Sequence, residues 1–596
     1  MYHILFLAKN NKGLENLYHL VSEAHQHFYY KSRCDLDMIR KYSEGLICTS
    51  ACMGGWLRNQ NYVGIAKELK EIFGDDLYLE VHTYQHKDQF KFNQKVMRLA
   101  NELNIKTIAC CDSHYIKPED YELHKQIRKA FSKVKEKHKD DLSQSEDKYY
   151  QTNDFYIMSV EEVQQKLSYL PKDFVDRSIA NTNEIFDKCN VTIEFGQHLY
   201  PKFAKDGKAK EMFLDELRKG YKDKIMGKVH GNDKKLVDER ILHEIDILEK
   251  VDYFDYLLIT KDIWDNAKRM GIPTGHGRGS ISNCECAYLL GLTTLDSITN
   301  NLYFERFANP NRISPADVDL DVSQARRREV IDYIKEKYGY VYQCRTFNYM
   351  KARGALTYAG KAMDLPDAYI KNLSKQIVKI DNDDETETFT DIDEEIALLE
   401  SIRTKETSSL IDLAIKFVSI MFSFGKHASC VIISNQDIRK FCSLEYQRDS
   451  KTKEIIYVAS CNFKYLEKMG LLKEDILGLR TLDVIEECVS YLDTPIDVNH
   501  LPWTDDKTEE LLCNGDTLGV FQMKSDGMIN TLKAMRPKGF LDLITVVALY
   551  RPSCIQSGML NEYLERRAGK QFTYHRKSTR RLYRTCEILH FFAYFQ

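Results

Sequence analysis

Nowhere in these 596 residues does an apolar run reach the ~18 residues needed to cross a membrane as a helix, which argues against a helical membrane protein. The opening residues, MYHILFLAKNNKG, have no basic segment ahead of their short apolar stretch, so no secretory signal is expected and the chain reads as cytoplasmic. The sixteen cysteines are therefore expected as reduced thiols, most of them in cores. Neither Cys48/Cys52 nor Cys284/Cys286 belongs to a four-ligand zinc-ribbon spacing, and the sequence has no internal repeat and no low-complexity tract. A formal net charge of −4 does not mark a nucleic-acid binder, but a global sum hides local patches.

The apolar content of 43% and charged content of 29% are those of ordinary globular domains. The length calls for three to five domains of ~100–200 residues. The segment DDLYLEVHTY reads as a strand, FNQKVMRLANELN as an amphipathic helix and IKTIACCDSHYI as a buried strand with a polar end, which is α/β organisation. A polar stretch, SKVKEKHKDDLSQSEDKYYQTND, reads as an exposed insertion or solvated helix. Mainly helical patterns follow to His230, then a long helix over KKLVDERILHEIDILEKV and another through DIWDNAKRMG. The acidic run IDNDDETETFTDIDEEIALLE reads as a solvated loop or surface helix. Strand patterns return from Phe424 to Ser434, from Glu454 to Ser460 and in LLKEDILGL, which reads as a strand with a turn after it, and beyond Arg480 the chain is largely helical.

In SPADVDLDV, Asp317, Asp319 and Asp321 alternate with Val318, Leu320 and Val322, so a strand here has one acidic and one aliphatic face. Taken alone, an edge strand with a solvated face explains this pattern. Some forty residues earlier, GIPTGHGRGSISNCECAYLLGL has a glycine-rich turn, with Ser280 and Ser282 at the start of a helix closed by Gly291. Glycines there permit close backbone approach, open amides and the helix dipole attract phosphate, and Arg278 adds a charged fork. A plain strand-to-helix turn is the simpler alternative, for the segment is neither a Walker A loop nor a dinucleotide fingerprint. If LLKEDILGL is a strand, Lys473 and Asp475 point the same way. A phosphate turn, an Asp-x-Asp strand and a distant third Asp suit two Mg²⁺ ions and nucleotidyl transfer.

The ordered set GRGS…AYLLGL, NLYFERFANPNRISPADVDLDV, RRREVIDYIKEKYG, GKHASCVII, KEDILGLRTL, GVFQMKSDGM and ALYRPSCIQSGM resembles the bacterial DNA polymerase III alpha subunit family of C-family replicative polymerases, from about Tyr2 to Gly569. The resemblance implies an α/β multidomain protein. Its parts are a partial PHP (polymerase and histidinol phosphatase) domain over 1–190, a polymerase-beta-like nucleotidyltransferase palm over 191–348 and 425–480, a helical thumb over 349–424 and partial helical fingers with a divergent tail over 481–596. It implies DNA synthesis from dNTPs on primer-template DNA, replisome protein partners, and two Mg²⁺ ions on Asp317, Asp319 and Asp475, with Asp321 a neighbouring acid. Arg278, Gly279 and Ser280 match the family's triphosphate turn, and Lys473 and Arg306 match basic residues at the nucleotide site; a structural salt bridge is the alternative for Arg306. Lys426 and His427 match a palm loop near the active site, where packing or solvation are the alternatives to direct contact.

Cys52, Asp112 and His114 match residual PHP ligands that suit Zn²⁺ or Mn²⁺, but the family's opening His-x-His segment has no counterpart, so a metal there is not expected. Pro315-Ala316, Asn348, Glu474, Lys524 and Ser553-Cys554 depart from the family pattern. The end, YHRKSTRRLYRTCEILHFFAYFQ, reads as a truncated or frame-shifted terminus, with a basic, aromatic nucleic-acid-binding tail as the alternative. Primer extension by such a chain is expected to be weak, and a remnant that binds DNA or replication proteins without catalysis is the rival reading.

Overall fold

The computed structural model describes residues 1–136, 152–197, 199, 201–204, 206–229, 231–310, 318–377, 392–448, 455–494, 496–498, 501–502, 504–551, 554–555 and 557–570. Asp317, the polar insertion after Glu136, the first part of the acidic run and the C-terminal tail lie outside them. The chain divides into two compact units, one of Met1–Lys371 with Arg403–Asp483, the other of Asn372–Ile402 with Val484–Gln596.

The first unit contains two sheets. Strands β1 (Leu5–Ala8), β2 (Leu46–Thr49), β3 (Leu77–His82) and β4 (Lys106–Cys110) lie side by side in chain order. β1 is antiparallel to β2, and the remaining pairs are parallel. Parallel pairing requires crossovers, supplied by the helices Tyr62–Phe73 and Lys87–Leu103, and every residue of β3 is buried as a consequence. The second helix stops at Asn104, which adopts the left-handed conformation at its C-cap. Cys52 follows β2, and Asp112 and His114 follow β4, all at the same end of their parallel strands.

The larger sheet is built from β5 (Asp319–Ser323), β6 (Tyr340–Tyr349), β7 (Met421–Ser434), β8 (Leu444–Arg448), β9 (Ile455–Asn462) and β10 (Leu472–Leu479), in the order β5-β10-β7-β6-β9-β8. Period-two alternation sorts its residues. Leu320, Val322, Val431, Ile433, Leu472 and Ile476 fall into one core together with residues of the helices Phe254–Arg269 and Arg327–Tyr338. The first of these helices is buried nearly all round, as Phe254, Tyr256, Leu257, Leu258 and Ile259 require, and Asp255 among them is buried too and accepts the Phe203 amide (2.7 Å). Asp262 ties it to the second by accepting hydrogen bonds from Tyr333 (2.8 Å) and Tyr338 (3.0 Å). Between β6 and β7 the chain forms the helices Ala352–Ala362, Asp367–Gln376, Ile392–Glu400 and Ser408–Phe417. The sheets meet where Leu444 of β8 donates its amide to Ser22, in the Asn11–Gln26 helix (2.8 Å).

Two local expectations are corrected. Ser280 and Ser282 do not begin an α-helix: Gly279–Asn283 is a 3₁₀ turn, and the helix proper is Glu285–Leu290, closed by left-handed Gly291. No turn follows LLKEDILGL, since β10 passes directly into the helix Arg480–Ser490. In the second unit, the helices Asp506–Asn514, Asp526–Met535 and Gly539–Leu549 contribute Leu512, Met528, Leu532, Met535 and Val546 to a small core.

Gly220, inside the helix Ala209–Lys224, lies so close to the Glu285–Leu290 helix that an added Cβ would stand 2.0 Å from the Leu289 carbonyl oxygen. Glycine to alanine within a helix ordinarily stabilises by roughly 0.5–1 kcal/mol. Gly220→Ala should instead destabilise, by about 1–3 kcal/mol, because backbone must move. Thermal unfolding followed by circular dichroism checks the sign, and a raised midpoint would contradict the close approach.

Candidate active site

Two carboxylates are paired across the centre of this site. Asp319 of β5 stands directly opposite Asp475 of β10 in the parallel register. Residues paired in this way project to the same face, the face opposite the aliphatic core. Asp321 shares that face two residues along β5, as Lys473 does on β10.

The glycine-rich segment runs antiparallel beside β5 and closes the site from its other edge. Gly275 donates its amide to the Asp321 carbonyl (2.9 Å), Ser323 donates to the Pro273 carbonyl (2.9 Å), and bridges join Thr274 to Val322 and Arg278 to Asp319. The glycines permit this approach. A Cβ on Gly275 would lie 2.8 Å from the Asp321 Cβ, and one on Gly279, whose φ is +73°, 2.9 Å from Asp319 Oδ2. The Gly-Ser turn and the aspartate strand, some forty residues apart in sequence, are thus one structure.

Asp475 is held by several groups. Lys473 Nζ lies 2.7 Å from its Oδ2, and Ser429 donates its hydroxyl to Oδ1 at 3.1 Å. His427 Nδ1 accepts the Cys430 amide (3.0 Å), which fixes the bend that brings Ser429 to Asp475. Its ring meets the Phe463 ring edge-on at 5.4 Å, and Lys473 sits over the Phe463 ring at 4.6 Å. His427 therefore supports the site by packing and by shaping β7. Arg327, largely buried, donates to the carbonyls of Ile476 (2.6 Å) and Ser429 (3.2 Å); burial lowers its pKa, and the nearby Asp475 charge raises it. Neither Arg327 nor Ser429 was singled out from the sequence, although the run RRR just beyond an acidic strand was a signal for a compensating cation.

Asp321 is buried, and among the described residues its Oδ1 has no hydrogen-bond partner, while Arg278 Nη1 lies 3.8 Å from it. Burial pushes its carboxyl up to about 6, and Arg278 pulls in the opposite direction. A buried carboxylate oxygen with no donor among the described residues, on the sheet face it shares with Asp319 and Asp475, offers the oxygen chemistry that suits a hard divalent cation such as Mg²⁺. Asp317, the third expected ligand, is outside the described residues, and among those described no group of three metal-binding side chains is assembled.

The remaining expected residues divide. Gly279 and Ser280 lie in the turn beside Asp319. The amides at the start of the Glu285–Leu290 helix do not face an open site, which corrects the expectation of a phosphate at the helix dipole: Glu285 and Cys286 donate theirs to the buried Glu244 carboxylate, at 3.0 and 2.8 Å. Arg306 is exposed on a short 3₁₀ turn and makes no ion pair among the described residues. Lys426 is exposed on β7 opposite Arg345. At the smaller sheet, Cys52 Sγ is 3.7 Å from His3 Nδ1, and Asp112 Oδ1 is 3.7 Å from His114 Nε2, two pairs at the same end of the strands.

Family models match three pieces of the chain: a PHP domain over 1–84, a bacterial DNA polymerase III alpha NTPase domain over 215–478 and a bacterial DNA polymerase III alpha subunit finger domain over 481–592. This chain belongs to the bacterial DNA polymerase III alpha subunit family. The DNA polymerase III subunit alpha of Aquifex aeolicus is 32% identical across 96% of the chain and 52% of its own length. That of Campylobacter jejuni is 32% identical across 95% and 50%, and that of Borreliella burgdorferi 32% across 93% and 48%. The chain spans about half the length of the curated relatives it matches.

Behind the site, on the core face of β10, Glu474 is fully buried. Burial pushes its carboxyl up to about 8, and the Thr260 hydroxyl, which it accepts at 2.8 Å, opposes the shift. Because the folded protein binds this proton more tightly than the unfolded chain does, stability falls as pH rises from about 4.5 through about 8. Glu474→Gln removes the titration. In chelator-containing buffer, the thermal midpoint of the parent should fall more between pH 6 and pH 9 than that of the variant, and at pH 9 the variant should be the more stable. Parallel pH profiles would show that Glu474 is not held protonated.

Proposed function

We propose that this chain performs template-directed DNA synthesis, transferring a nucleotidyl group from a dNTP to a primer 3′-hydroxyl. The observation that carries the reading is the in-register pair Asp319 and Asp475 directly beside the Gly279 turn. Family membership supports it. The 3′-oxygen-to-α-phosphorus bond forms as the bond to the pyrophosphate leaving group breaks, and the protein's part is mainly positioning and charge. Asp319 and Asp475, with Asp317 and the neighbouring Asp321, would hold two Mg²⁺ ions, which supply Lewis acidity to the attacking and leaving oxygens. Ser429 and Lys473 hold Asp475 in place, while Arg278, Gly279 and Ser280 line the side on which the triphosphate would lie. Lys473 adds positive charge next to the developing negative charge.

In this reading residues 1–190 are PHP-like, 191–348 and 425–480 form the palm, 349–424 act as thumb and 481–596 belong to the fingers. Primer-template DNA and dNTPs are the substrates, and other replication proteins the partners. Extension of a primed template by the purified chain in Mg²⁺ should fall on the order of 100-fold or more in both Asp319→Asn and Asp475→Asn. Extension that survives both substitutions would overturn the assignment. Binding of primed DNA with no extension under any condition would favour a non-catalytic role in replication.

A further inference from the structure

The turn beside Asp319 is held from behind by an ion pair between the half-buried Arg240 and the fully buried Glu244. Glu244, in the helix Gly231–Lys250, is fully buried. Its Oε1 accepts the Glu285 amide (3.0 Å) and Arg240 Nε (2.7 Å), and its Oε2 accepts the Cys286 amide (2.8 Å) and the Cys284 thiol (3.3 Å). Arg240, one turn earlier on the same helix, extends Nη2 to the carbonyls of Asn283 (3.1 Å) and Leu302 (3.0 Å). Asn283 in turn donates its side-chain amide to the Ser280 carbonyl (3.1 Å).

This arrangement does more than fill a core. Well-packed apolar side chains often stabilise as much as a buried ion pair does, because desolvating the charges offsets much of their attraction. What apolar residues cannot do is hold named main-chain atoms in place. The pair grips the carbonyl at the end of the 3₁₀ turn and the two amides just beyond it. At the other end of the turn, Arg278 bridges to Asp319. The Gly279–Asn283 turn is therefore pinned at one end by the bridge from Arg278 to Asp319 and at the other by Arg240 on the Asn283 carbonyl, with Glu244 holding Arg240 and the residues that follow the turn.

We propose that Arg240 and Glu244 are positioning residues for the nucleotide site, fixing the Gly279–Asn283 turn at the distance from Asp319 at which a bound triphosphate is aligned for attack. The proposal rests on the nucleotidyl-transfer reading above. A displacement of ~1 Å can cost ~100-fold in a reaction that depends on alignment, so a clamp that neither touches substrate nor faces the site still acts on it.

The test uses the full chain with dATP and Mg²⁺ as probe. Glu244→Gln keeps the side-chain volume but removes the charge and turns an NH₂ towards the main-chain donors; Arg240→Lys keeps the charge but not the fork. Leu248→Ala, a buried apolar truncation on the same helix, serves as the stability control. Both clamp variants should weaken dATP binding by about 10- to 100-fold, the scale of one hydrogen bond to the charged triphosphate lost from a displaced turn. The control should lower the thermal midpoint comparably yet bind dATP as the parent does, and affinity for primed DNA should be unchanged in all three. Hydrogen exchange at residues 279–286 should accelerate in Glu244→Gln but not in Leu248→Ala. Equal effects of clamp and control variants, or no effect of either clamp variant, would overturn the proposal. If the parent binds no dATP, the nucleotidyl-transfer reading fails, and exchange still decides the clamp: unchanged protection in Glu244→Gln refutes it.

Discussion

The structure of the first unit depends on a parallel pairing that sets two carboxylates side by side, Asp319 on β5 and Asp475 on β10. Like charges in register on a partly buried sheet repel one another, and a strand pair of this kind persists only where other groups compensate. The compensation comes from widely separated parts of the chain. Lys473 and Ser429 contact Asp475, Arg327 reaches the carbonyls on either side of it, and Arg278 stands beside Asp321. The helix behind the sheet, the bend at His427 and the glycine segment at the edge each serve that pairing as well as their own packing.

Two buried glutamates show how differently a carboxylate can be accommodated near such a site. Glu244 receives donors from Arg240, two amides and a thiol, so its charge is spread over an ordered set of partners. Glu474 has one donor among the described residues, Thr260, and an Oε2 with no hydrogen bond among them, and burial favours its protonated form. The first organises backbone. The second places a neutral acid directly behind Asp475, where an ionised one would add to the repulsion already present there.

Much of this was legible from residue order. Alternation in DVDLDV and in LLKEDILGL gave β5 and β10 with the correct faces, because a strand's period is two and one face had to be apolar. The charge at Glu474 fell on the inward face for the same reason. The role of Glu244 was hidden in a helical stripe: Val237, Ile241, Glu244 and Leu248 follow apolar spacing, and a single carboxylate within it signals a buried partner without saying which. The helix expected to begin at Ser280 begins at Glu285, because the turn before it is held to Asp319 on one side and to the ion pair on the other.

By itself the sequence determined which residue types face which side of each strand, where glycines allow close backbone approach, and the family to which the chain belongs. These are local properties, set by backbone period and by side-chain size. Only the tertiary structure decided that Asp319 stands opposite Asp475, that the glycines approach carboxylates, and that Glu244 takes the amides otherwise open to phosphate. Each of those facts joins segments some forty to one hundred and sixty residues apart, and register between distant strands is settled by the packing of both faces at once, which no local pattern contains.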